Sequence, residues 1–214
     1  MKIRYISLLV LVAAALQAAS PDAKGFLRDW LIGGAYPSYQ VNGIDRGFRD
    51  DPCDEANLRP FEGMKDTALF KADKSKLIAG IGSTNEWGYT EDKSFPVSWV
   101  GYTQTRDSPI VTLDGRFAPI DDHMIAYAAC YLESPEARQI KLRIGSDDDF
   151  KAYLNGKLVG EANSSQGVVP DNFLCDAELR RGLNVLVLKV VDRTHGSGFC
   201  CAVSDRRMIG RAHV

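Results

Sequence analysis

The sequence predicts an all-β fold: a two-layer antiparallel jelly-roll sandwich with long N-terminal loops and room for one short helix. Three observations predict it. From Met124 onward, short apolar runs alternate with turn residues at about 8–12-residue spacing, the rhythm of a sandwich. Asn155-Gly156 separates two alternating runs, and this pair suits a type I′ hairpin because both central residues need φ > 0. Val185 to Val191, VLVLKVV, is apolar on both faces, which marks a central strand covered by two layers.

The N-terminus carries a processing signal. Lys2 and Arg4 precede the apolar run Ile6 to Leu16, and Ala18-Ala19-Ser20 supplies small residues for cleavage roughly at residue 19. The run is shorter than the about 20 residues that span a bilayer. No cysteine lies near the cut, which disfavours a lipoprotein anchor. The expectation is a signal peptide at 1–19 and a single exported domain at 20–214, secreted or periplasmic, with no membrane span. The chain holds 26 basic and 28 acidic residues, a formal net charge of −2. It has no basic stripe, so nucleic acid and anionic membrane surfaces are not expected partners.

The elements follow in order. Phe26 to Tyr39 suits a strand at Trp30 to Ile32, broken by Gly33-Gly34. Val41 to Gly63 is polar and rich in Gly and Pro, a long ordered loop anchored by Phe48, Leu58 and Phe61. Met64, Ala68, Leu69 and Ala72 fall at helical spacing, so Met64 to Lys76 takes the short helix. Leu77 to Ile81 reads as a strand, and Asn85 to Pro96 as an exposed polar and aromatic stretch. Val97 to Tyr102 alternates, Ile110 to Leu113 is a short strand, and Asp114-Gly115 turns it. Met124 to Leu132 is a nearly unbroken apolar strand ended by Ser134-Pro135. Ile140, Leu142 and Ile144 alternate with Lys141 and Arg143. The hairpin around Asn155-Gly156 follows, then a loop at Ser164 to Asp171 and a strand at Phe173 to Leu179. A turn at Arg181 to Asn184, the central strand, a Gly-rich turn at Thr194 to Gly198 and a last strand at Phe199 to Val203 complete the chain.

Five cysteines stand at 53, 130, 175, 200 and 201. Export permits disulfides, but five thiols leave one over and their spacing does not fix the pairing. Cys200 and Cys201 are adjacent in a strand and so point to opposite faces. No Cys-x-x-Cys pair is present, which disfavours zinc.

The second half resembles the galactose-binding-like jelly rolls, including the sugar-binding sandwich domain of family 2 glycoside hydrolases. Gly145-Ser146-Asp147-Asp148 precedes a strand, and Tyr153-Leu154-Asn155-Gly156-Lys157-Leu158-Val159 is similar to the W-L-N-G-K-x-V hairpin of that group, with Tyr153 replacing the tryptophan. Leu179 to Val191 is similar to its L-x-x-G-x-N-x-L-x-V-x-V close. Asp29 to Pro37 and Gly47 to Gly63 resemble the lead-in of exported bacterial proteins bearing such domains. The resemblance implies a non-catalytic module that binds carbohydrate, often beside polysaccharide-degrading machinery. It covers scaffold motifs and assigns no sugar-contacting residue, since fold alone does not fix function.

Candidate binding residues come from the polar aromatic stretch. Trp87, Tyr89 and Tyr102, with Asn85 and Glu86, combine flat rings and hydrogen-bonding groups, which suits a sugar whose C–H faces are apolar and whose hydroxyls are not. Trp99 and Gln104 lie nearby. The competing reading is that these aromatics cap the sandwich core, Trp99 more so than Trp87. Asp147 and Asp148, with Asp149 beside them, are candidate calcium ligands. Against that, consecutive strand residues face opposite ways unless the backbone turns, and Asp commonly fixes turns by accepting from backbone N–H groups. Tyr36 and Tyr39 suit a binding rim or, more simply, loop packing. His123 and His195 lack metal-ligand spacing, and no nucleophile elbow, phosphate loop, dinucleotide fingerprint or HExxH motif occurs. Catalysis is therefore not expected. The alternative to a sugar-binding module is a structural or protein-interaction domain of an exported assembly.

Overall fold

A computed structural model describes residues 18–38, 40–41, 44–45, 47–70, 93–117 and 123–205. The fold is all-β, two antiparallel sheets packed as a sandwich. The strands are β1 (Asp29–Pro37), β2 (Gln40–Val41), β3 (Ile44–Asp45), β4 (Lys65–Phe70), β5 (Lys93–Thr103), β6 (Val111–Thr112), β7 (Met124–Ser134), β8 (Arg138–Asp147), β9 (Asp149–Leu154), β10 (Lys157–Ala162), β11 (Phe173–Leu179), β12 (Gly182–Asp192) and β13 (Gly198–Asp205). The larger sheet runs β10-β9-β12-β7-β1-β5-β4, and the smaller runs β11-β8-β13-β6. A two-residue ladder joins β2 and β3. Among the described residues the sole helical element is a 3-10 turn at Glu55–Asn57, and no helix is long and apolar enough to cross a membrane.

Alternation explains both layers. On β12, Leu186, Leu188 and Val190 enter the core between the sheets, while Val185, Val187 and Val191 face outward. The outward set is covered as well, by Leu58 from the 47–63 loop and by aromatic neighbours Tyr36, Trp99, Tyr127 and Tyr131 on the same sheet face. The doubly apolar run thus reports a strand buried on both faces, as its composition predicts. The hairpin also forms as expected: Asn155 and Gly156 have φ of 53° and 85°. Asn155 Nδ2 donates to Asn184 Oδ1 at 2.8 Å, and Asn155 Oδ1 accepts from the Val185 amide at 3.1 Å. The tip is therefore fastened to the start of β12. Cys201 lies in the inter-sheet core and Cys200 on the opposite face with Phe26, and all five cysteines are free thiols.

Several expectations fail for physical reasons. Gly33-Gly34 does not end the first strand, because β1 runs through to Pro37. Gly33 instead makes room for the Trp99 indole: a Cβ there would lie 2.5 Å from its ring. Residues 65–70 of the expected helix form strand β4, paired along its length with β5, so tertiary pairing overrides the helical spacing. The end of the exposed 85–96 stretch belongs to β5, which starts at Lys93. Phe61 is no anchor, being 56% exposed, whereas Leu58 is buried and the Phe48 ring meets Lys151 Nζ at 4.8 Å. Tyr36 packs fully buried, with its hydroxyl on Asp66 at 2.7 Å. The strand expected at Leu77 to Ile81, residues 71–76 of the helix and Tyr39 lie outside the described residues.

Candidate functional site

The larger sheet is wider than its partner, and the difference creates the site. Trp30 and Ile32 on β1 point into the inter-sheet core, and β5 places Tyr102 and Val100 directly opposite them, with Ser98 opposite Gly34. These β5 residues therefore occupy the same inner face. The smaller sheet ends at the two-residue strand β6 and does not reach across them. Val100 is left 57% exposed, and Ser98 and Pro96 are also exposed. The overhang is a pocket of about 480 Å³, walled by Ile32, Gly34, Ala35, Phe95, Ser98, Val100, Tyr102, Arg116 and Phe117. That volume is in the range of small-ligand sites.

Local chemistry builds the far wall. After β6, Asp114 and Gly115 turn the chain, with Gly115 at φ 67° and the Arg116 amide donating to the Leu113 carbonyl at 3.1 Å. The turn carries Arg116 back over β5. Its Nε donates to the Thr112 carbonyl at 2.7 Å, and its guanidinium carbon stands 4.0 Å from the Tyr102 ring centroid. This is a cation–π contact that places the guanidinium over the ring. Phe117 follows, close enough to Gly34 that a Cβ there would meet its ring at 3.0 Å.

Of the residues singled out in sequence, Tyr102 is in this pocket, half-buried, with one ring face already covered by Arg116. Trp99 is fully buried on the opposite face of the sheet, in the core as its alternative reading expects. Gln104 is buried and donates to the Ile110 carbonyl, a structural role. Asn85, Glu86, Trp87 and Tyr89 lie outside the described residues. Arg116 was missed in sequence. Its signal was faint: a cation just after an Asp-Gly turn, in a stretch read only as a turn.

The acidic triplet divides. The backbone bends at Asp148 between β8 and β9, so the strand rule that separates the three side chains does not hold there. Asp149 is fully buried and both of its oxygens accept from Arg193 Nη2, at 2.9 and 3.0 Å, while Oδ1 also takes the Ser164 amide at 2.7 Å. Asp148 Oδ2 accepts the Arg193 amide at 2.9 Å. These two carboxylates fasten turns. Asp147 is different. Burial first, then Asp148 and Asp114, push its carboxyl up to about 6. Asp114 Oδ1 takes the Ser197 hydroxyl at 3.0 Å. Among the described residues no group of three or more His, Cys, Asp or Glu side chains is placed to hold a metal ion.

A second polar cluster lies on the outer face of the larger sheet. Glu55, 2% exposed, reaches Lys189, which is 0% exposed, at 2.6 Å. The same carboxylate accepts the hydroxyls of Tyr127 at 2.7 Å and Tyr153 at 2.6 Å, and Lys189 Nζ also donates to the Asp50 carbonyl. Burial lowers the Lys189 pKa and Glu55 opposes that shift. Burial and Glu55 raise both tyrosines, and burial pushes the neighbouring Cys53 thiol up to about 12. Its polar groups are buried and matched to one another, so the cluster clamps the 47–63 loop to the sheet rather than presenting reactive atoms. Sequence gave one hint of it, the lone lysine inside VLVLKVV.

No protein-family model matches the chain, and no curated protein matches it in sequence. Among solved structures, an anti-sigma factor domain-containing protein is similar at 14% identity and a TM-score of 0.37, over 49% of this chain and 38% of that one. The Epithelial Adhesin 9 A domain from Candida glabrata, solved in complex with Galb1-4GlcNAc, is similar at 11% identity and a TM-score of 0.40, over 88% and 87% of the two chains. The GH31 alpha-xylosidase from Xanthomonas citri is similar at 10% identity and a TM-score of 0.30, over 83% of this chain but 16% of the enzyme. At these levels the likenesses decide nothing about activity, and the functional reading has to stand on the pocket.

Proposed function

We propose that this is an exported, single-domain, non-catalytic carbohydrate-binding module of galactose-binding-like type, and that it binds sugar in the overhang pocket. One observation carries the reading: an open pocket that combines apolar walls, the Tyr102 ring and a hydrogen-bonding fork at Arg116. Apolar surface suits the C–H faces of a pyranose, and Ser98 and Arg116 supply polar partners for its hydroxyls. Trp87 and Tyr89, on the segment before β5, are the sequence-based part of the same proposal.

A glycan array with purified protein tests this. Binding to at least one glycan class is expected, with loss in Ser98→Trp, which fills the pocket from an exposed position. Trp87→Ala probes the sequence-based part. An array on which nothing binds, or binding that Ser98→Trp leaves unchanged, would overturn the assignment and favour the interaction-domain alternative.

A further inference from the structure

Resting on that reading of the pocket, we infer that its occupant is an anionic saccharide, a sugar whose carboxylate or sulfate ester pairs with Arg116. Arg116 Nε is committed to Thr112 and its guanidinium lies over Tyr102, yet among the described residues neither Nη group has a protein acceptor and no carboxylate pairs with it. The nearest acid in sequence, Asp114, is engaged with Ser197 instead. No acidic side chain lines the pocket among the described residues, so Arg116 is its one formal charge.

Two constraints then make this guanidinium a recognition element. The Nε bond to Thr112 and the cation–π contact with Tyr102 restrict the side chain before any ligand arrives, so less rotamer freedom is lost on binding. Its open Nη donors form a planar fork, and that geometry matches the paired oxygens of a carboxylate or sulfate. Arg116 is exposed at the pocket wall, and a neutral hydroxyl would use one of its donors where a carboxylate or sulfate uses two. A saccharide is still required, because the walls offer area for a ring and Ser98 sits on the same face.

The test is calorimetric titration of the full chain. Ligands are oligogalacturonate, oligoglucuronate and alginate oligomers, each beside its carboxyl-reduced counterpart, and sulfated beside desulfated galactan oligomers. Wild type should bind at least one anionic member about tenfold more tightly than its neutral match, the difference expected for one charge-assisted contact. In Arg116→Gln the anionic member should fall to the affinity of its neutral match, so that the ratio between them drops from about tenfold to about one, and Arg116→Lys should recover part of that ratio. Preference for the carboxylate series or for the sulfate series identifies which anion is read, and either supports the inference. Equal binding of charged and neutral members overturns the inference but leaves the sugar pocket standing, as does a preference that survives in Arg116→Gln. Binding to no member of either kind overturns both.

Discussion

Glu55→Gln removes one charge from the sealed cluster beneath the 47–63 loop and leaves its geometry nearly intact. The carboxylate collects three donors within 2.7 Å, from Lys189, Tyr127 and Tyr153, and both ionic partners are 2% exposed or less. Glutamine can still accept from Lys189 or Tyr127, and the Tyr153 hydroxyl can rotate to accept from its amide. What is lost is the counter-charge to a buried cation. Breaking a buried pair from one side costs about 3–5 kcal/mol, and the surviving hydrogen bonds place this variant near 3. For a domain of this size that is a drop of about 6–12 °C in Tm. Urea unfolding of wild type, Glu55→Gln, Lys189→Met and the double variant measures it. The double variant should cost less than the two single losses combined, by about 1 kcal/mol or more, because removing Lys189 also removes the stranded charge. The alkaline pH dependence adds a second readout. The folded Lys189 pKa lies below its unfolded value of 10.5, so its own contribution to stability rises with pH below 10.5, opposed from about pH 10 upward by Tyr127 and Tyr153, whose folded values are raised. Without Glu55 the Lys189 contribution should begin at lower pH and extend over a wider range. A Glu55→Gln loss under about 1 kcal/mol, the value of an exposed pair, with no coupling to Lys189, would refute the clamp.

Three other predictions concern stability. Asp147 carries a carboxyl raised to about 6, so its ionisation opposes the fold above that pH and not below the unfolded value of 3.8. Asp147→Asn should therefore be more stable than wild type at pH 8 by about 1 kcal/mol, discounted for its partial exposure, and equal to it below about pH 4; a variant that is never more stable sinks the argument. Calcium held by Asp147 would raise the wild-type Tm at millimolar concentration and leave Asp147→Asn unmoved, whereas no shift in either removes the ion from the reading. Gly33→Ala drives a methyl to 2.5 Å from the buried Trp99 ring, so thermal unfolding should show a loss of about 1–3 kcal/mol, partly restored by adding Trp99→Phe.

The fold was legible where local rules and tertiary demands agree. The Asn155-Gly156 turn, the doubly buried β12 and the divergent Cys200 and Cys201 follow from φ preference, alternation and hydropathy, all local quantities. Legibility failed where a partner distant in sequence decides. Gly33 looks like a breaker until Trp99, many residues away, is seen against it. Residues 65–70 have helical spacing, but the free edge of β5 recruits them as a strand. The site failed for the same reason. Tyr102 was visible as an aromatic beside a polar stretch, but Arg116 matters only because the β6 turn returns it over β5, and no periodicity reports that. Glu55 was hidden likewise, since its partners lie on three different strands.

The unequal widths of the two sheets also bear on how the protein can change. Ser98, Val100 and Pro96 sit on the floor of the pocket, support no second layer among the described residues, and are all exposed. Substitutions there alter what the pocket touches at almost no expense to folding, since surface changes of this kind move stability by about 0.5 kcal/mol or less. The chemistry of the pocket floor can therefore change along one strand while Trp99 and Val97 on its other face keep the scaffold unchanged. The two faces of β5 thus carry different constraints, exposed at Pro96, Ser98 and Val100 and buried at Val97 and Trp99.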